Sequence, residues 1–90
     1  MTLQEARTKA AEGGYHHDSK HRERGMHAGV IGMHTFTTVY VDAIFLDPNF
    51  WCALGRTLGW HHERVWTGYW QGFIDHVAQG KTPESFFTNL

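Results

Sequence analysis

Eight of the 90 residues are histidines: His16, His17, His21, His27, His34, His61, His62 and His76. Imidazole is the commonest protein ligand for transition metals and changes charge near neutral pH. His17 and His21 stand four residues apart, the spacing that brings two side chains onto one face of a helix, with Asp18 beside them. Together with His27 and His34 they form a donor set suited to zinc or nickel. No HExxH or related metal motif accompanies them, and Gly25, Gly29 and Gly32 break up the stretch. The plainer reading is a run of solvated histidines.

Asp75 and His76 are the second group with chemistry in their types, a carboxylate beside an imidazole. Consecutive helical residues do not face each other, however. The plainer role for His76 is a hydrogen bond to a backbone carbonyl, with Asp75 exposed or beside Lys81. Cys52 meeting His76 across two helices would make a thiolate–imidazole pair. Its plainer role is a buried, inert thiol. A single cysteine excludes an internal disulfide and any cysteine-rich zinc motif. Lys20, Arg22 and Arg24 are a short cationic run that suits phosphate contacts. Asp18 and Glu23 offset it, and a net charge of −1 gives no bulk electrostatic attraction for nucleic acid or an anionic membrane.

These residues need elements to position them, and the clearest stretch is 45–80. It holds all four tryptophans, and ten of the thirteen aromatic residues lie between Phe45 and Phe87. Asp47-Pro48 is a helix start, a side-chain acceptor followed by a proline whose missing N–H is not needed there. Apolar residues then recur at Phe50, Trp51, Leu54 and Leu58, and Gly59 follows as a left-handed cap. The spacing predicts a helix over Pro48–Leu58. A second helix is expected over about 62–79, with a stripe of Trp66, Trp70, Phe73, Ile74 and Val77 and a stop at Gly80. Gly68 and Gly72 inside it each cost about 1 kcal/mol of propensity, so the helix relies on packing, and the glycines are expected to admit another backbone. So short a connection implies an antiparallel hairpin.

Around this hairpin, 2–12 reads as a short helix with a Thr2–Glu5 capping box and a Gly13-Gly14 stop. Thr82-Pro83 opens another, with Phe86, Phe87 and Leu90 as its apolar face. Residues 35–41 are rich in β-branched and aromatic types, with Phe36, Thr38 and Tyr40 on one face of a strand. The rival there is a helix running into Phe45. A lone strand leaves its own backbone groups unpaired, so it needs a partner from 15–33, from a second copy or from a target. Residues 15–33 lack clean periodicity and read as loop, partly disordered, with at most one helical turn near 18–24. The expected fold is α+β, mainly α, in one domain over 1–90: a tryptophan-rich antiparallel hairpin, short N- and C-terminal helices and a short β segment at about 35–41.

The motifs FLDPNFWCALGRTLGW and WQGFIDHVAQGKTPESFF, with the EGG end of the first helix, resemble a group of small uncharacterised phage, prophage and bacterial proteins. Their pattern is LDPxFWxALGxxLGW, a tryptophan-bearing helix ending in FIDHLAxGK, and an ExFF tail. The resemblance covers about the last half of the chain and the first helix, and departs in the histidine-rich segment. It implies a microbial or mobile-element origin and no mechanism.

The residues then point to a small protein-interaction module, leaning non-enzymatic, that binds and modulates another protein, such as a host protein of a phage. Trp60 at the turn is the first choice for an exposed aromatic contact and Tyr69 the second. Tyr40 and Phe36 would serve on the strand, where pairing between copies would make a homodimer. Trp51, Trp66, Trp70 and Phe73 are expected in the core. The second reading is a histidine-rich metal-binding protein or metal-dependent enzyme using His17, His21, His27 and His34. The third is nucleic-acid binding through Lys20, Arg22 and Arg24. With neither a signal-like N-terminal segment nor an apolar run of about 20 residues, a cytoplasmic protein without a membrane partner is expected.

Overall fold

The computed structural model describes residues 1–16, 23–30 and 35–90, with side chains described for 1–16 and 39–90. The chain is mainly helical. Its elements run α1 (Leu3–Glu12), β1 (Glu23–Val30), β2 (Thr35–Asp42), a 3-10 segment (Ala43–Leu46), α2 (Pro48–Leu58), α3 (Glu63–Ala78) and α4 (Pro83–Thr88).

Local chemistry sets the helix ends. Thr2 Oγ1 accepts from Glu5 N at 3.0 Å while Glu5 Oε1 accepts from Thr2 N at 3.2 Å, closing a capping box. These bonds, the backbone one first, hold the Glu5 carboxyl below its ordinary range. Asp47 caps α2 through Asn49 N at 2.9 Å, with Pro48 at the first position. Gly59 ends α2 in the left-handed region at φ 85°. Thr82 caps α4 through Ser85 N.

Helix α2 is the hub. It buries Phe50, Trp51, Ala53, Leu54 and Gly55, because α1 covers one side and α3 another. Trp51 is fully buried, stacks on Phe87 of α4 at 5.4 Å and 12°, and meets Phe73 of α3. Phe45 fills the middle of the same cluster, between Phe50, Phe73 and Phe87. Of the α3 stripe, Phe73 and Val77 are buried while Trp66, Trp70 and Ile74 are half-buried. Trp66 and Trp70 thus line the rim of the core, not its centre. Cys52, expected to be buried, is also half-buried.

Marginal by itself, α1 docks on α2 through small residues. Ala6 and Ala10 are fully buried. Thr57 Oγ1 donates to Lys9 O at 2.6 Å, and Arg56 Nη1 donates to Gly13 O at 3.0 Å. On the other flank Arg7 pairs with Asp42 at 3.1 Å and lies 5.2 Å over the Phe45 ring. The helices approach so closely at Gly13 that a Cβ there would sit 1.9 Å from Ala53 O. Gly55 is the second tight point, with Trp60 O at 2.9 Å. The glycines expected to admit a backbone, Gly68 and Gly72, do not. Among the described residues a Cβ added at Gly68 would meet no neighbouring element within 4 Å, and one at Gly72 only the Phe86 ring at 3.9 Å.

One expectation is corrected outright. Residues 23–30, read as loop, form strand β1, antiparallel to β2 in unbroken register from Glu23 opposite Asp42 to Val30 opposite Thr35. Glycine and histidine hide the pattern in β1. Its partner decides its conformation, since the backbone groups of β2 must be paired. The helical turn expected near 18–24 is excluded at 23 and 24, while 18–22 lie outside the described residues. On β2, Val39 is 9% exposed and Val41 1%, but Tyr40 between them is 67% exposed, the alternation of a strand with one face on a core. No helix among the described residues is long and apolar enough to cross a membrane.

Candidate interaction surface

The left-handed turn at Gly59 throws the chain back across the end of α2, where Trp60 N donates to Gly55 O at 2.7 Å. This fixes Trp60 over the start of α3. Its ring stacks face to face on Tyr69, with centroids 3.8 Å apart and planes 9° from parallel. Both rings are half-buried. Beside them lies a shallow concavity of about 310 Å³ lined by Met1, Leu58, Trp60, Tyr69, Asn89 and Leu90. Exposed His61, His62, Glu63 and Arg64 follow Trp60 along the chain, and Val65 is 37% exposed. The arrangement is a stacked aromatic pair beside a concavity of mixed apolar and polar lining, with both signs of charge nearby.

The fold therefore joins the two residues singled out for contact at the α2–α3 turn. Trp60 is less exposed than expected of a turn tryptophan, because Tyr69 covers one face of its ring. Tyr40 stands apart on β2, with Gly25 as its cross-strand partner. Phe36 is placed only by register, opposite Gly29.

His76 takes the plainer of its two roles. Its Nε2 lies 3.0 Å from Thr82 O and 2.7 Å from Ser85 Oγ, and Ser85 Oγ donates to the same carbonyl at 2.7 Å. A carbonyl only accepts, so the hydrogen bond to Thr82 needs the proton on Nε2. That nitrogen then cannot take a proton from Ser85. The pair works as a clasp between the end of α3 and the start of α4. Asp75 is exposed, and the hydrogen bonds of His76 go to α4, not to Cys52.

Of the expected metal set, His17, His21 and His34 lie outside the described residues, and His27 is placed only by register, opposite Thr38. Among the described residues no group of three or more histidine, cysteine or carboxylate side chains could hold a metal ion. Lys20 and Arg22 lie outside the described residues, and Arg24 sits in β1 opposite Val41.

A polar anchor missed by sequence reasoning is Tyr15. Its hydroxyl donates to Asp47 Oδ2 at 3.0 Å, and its ring meets Phe50 edge-on at 5.6 Å. Burial, then the Asp47 hydrogen bond and charge, push the phenol well above the ordinary tyrosine range. The only signal in the sequence was an aromatic residue just after the Gly13-Gly14 stop. Compared with family models, curated proteins and solved structures, the chain matches none.

Proposed function

We propose that the chain is a small non-enzymatic protein-interaction module whose contact surface is the Trp60–Tyr69 pair. The observation that carries this reading is the stack itself. Two rings 3.8 Å apart lie half-buried beside a shallow concavity of mixed lining, already stacked without a partner. Preordered aromatic anchors lose little entropy on binding and are enriched among residues that dominate interface energies.

In this reading the platform is a tryptophan-rich antiparallel hairpin of α2 and α3. Supporting it, Trp51 near the start of α2 meets Phe73 near the end of α3, and Gly55 faces Trp66 near its beginning. The resemblance to phage and prophage proteins supports an accessory role, in which the partner is a host protein in the cytoplasm whose activity is modulated by occupying its surface.

The test is photo-crosslinking from a benzoyl-phenylalanine at Val65, one helical turn from Tyr69, in host cells. One partner should be captured, and Trp60→Ala should cut its capture by about tenfold or more, as for a contact worth over 1.4 kcal/mol. A crosslinker at Gln4 on α1 should capture nothing in common. Equal capture by the wild type and by a folded Trp60→Ala variant would overturn the assignment.

A further inference from the structure

The outer edge of β2 has the character of a covered strand. Among the described residues the sheet holds two strands in the order β1–β2, and each has one edge without a strand neighbour there. Strand β1 lies beside α3, whereas the main neighbours of β2 are β1 and the 3-10 segment that follows it. Free edges are normally protected by lysine, proline, a bulge or a short strand. Strand β2 has none of these. Residues 35–41 read TFTTVYV, without charge or proline. The eight-residue register to β1 runs without a bulge. The single charge, Asp42, stands at the end, where it pairs with Arg7 and accepts from Ile44 N at 3.1 Å.

We infer that this edge pairs antiparallel with β2 of a second copy of the chain, giving a continuous four-stranded sheet β1–β2–β2–β1. The occupant is named by charge and symmetry. A two-fold axis sets residues near the middle of β2 beside the same stretch of its copy, and like charges placed so would repel. A neutral run of β-branched and aromatic residues is self-complementary, whereas β1 begins with Glu23 and Arg24 and carries Gly25 and Gly29. An axis perpendicular to the sheet leaves both Val39–Val41 faces on their cores on one side and both exposed Tyr40 residues on the other. This inference stands independently of the Trp60–Tyr69 reading, which uses a different part of the fold.

The experiment is native mass spectrometry with sedimentation velocity on three proteins: the wild type, Thr38→Lys with Tyr40→Lys, and Thr38→Glu with Tyr40→Glu. Far-UV circular dichroism checks that each is folded. The wild type should be a dimer at micromolar concentration. Each charged variant should be a monomer, and mixing the two should restore a heterodimer. A monomeric wild type overturns the inference, as do charged variants that remain dimeric. Monomeric variants that fail to combine with each other overturn the edge as the interface. Crosslinking from Val65 should persist in the monomeric variants, so loss of the dimer and loss of the partner contact are read separately.

Discussion

Gly13 is where the packing makes its sharpest demand. Its φ of −82° and ψ of 3° suit any L-residue, so glycine is not there for its backbone freedom. At such a position Gly→Ala would ordinarily stabilise by about 0.4–1 kcal/mol, by restricting the unfolded chain. Here the new methyl would fall 1.9 Å from Ala53 O and 2.7 Å from Ala53 C. Both are backbone atoms in the middle of α2 and have no rotamer to adopt. Relief requires α1 to move away by more than an ångström. Overpacking of this kind costs about 1–3 kcal/mol. The same shift stretches the bonds from Thr57 Oγ1 to Lys9 O and from Arg56 Nη1 to Gly13 O, each worth about 1 kcal/mol. The expected destabilisation of Gly13→Ala is therefore about 2–4 kcal/mol, or a fall in Tm of about 10 °C or more for a domain of this size. Urea denaturation followed by tryptophan fluorescence measures it. Gly68→Ala is the control, since its methyl meets no neighbouring element among the described residues, and it should stabilise by about 1 kcal/mol through helix propensity. A neutral or stabilising Gly13→Ala would refute the close approach of α1 and α2.

Two further outcomes follow from the Tyr15–Asp47 pair. In the folded chain the Tyr15 phenol keeps its proton above the ordinary tyrosine value, so the unfolded chain releases it first, near pH 10. The stability it contributes is whole below that pH and declines as pH rises further. Urea midpoints taken from pH 8 to 11 should fall more steeply for the wild type than for Tyr15→Phe, and parallel profiles would exclude the coupling. Asp47→Ala removes the α2 cap and the acceptor of the Tyr15 hydroxyl together. It should cost about 2 kcal/mol in chemical denaturation, with Asp47→Asn milder because an oxygen acceptor remains. A loss below about 0.5 kcal/mol, the ordinary range for surface changes, would mean that neither bond contributes.

The helices were legible because their signals are local. Thr2 with Glu5, Asp47-Pro48, Gly59 and Thr82-Pro83 act within a few residues, and each takes its expected place. Strand β1 was not legible, since its conformation depends on pairing with residues up to 19 positions away, as Glu23 with Asp42 shows, while its own Gly25, His27 and Gly29 favour no period. The glycines show the same limit. Spacing places Gly68 and Gly72 in a helix but does not say which face a neighbour covers, so the close approach was sought there and is found at Gly13 and Gly55. Spacing singled out Trp60 and Tyr69 separately, but their stacking on each other was not legible, because it depends on the direction in which the Gly59 turn sends the chain.

The 3-10 segment between ribbon and helices is bolted from two sides. Trp51 of α2 donates its indole N–H to Phe45 O at 2.8 Å, and Trp70 of α3 donates to Leu46 O at 3.0 Å. Two successive carbonyls are thus held by two different helices. The ribbon is therefore mounted like an arm on a double-pinned bracket. Its root cannot shift without withdrawing one of the indoles, so any displacement there is shared between α2 and α3.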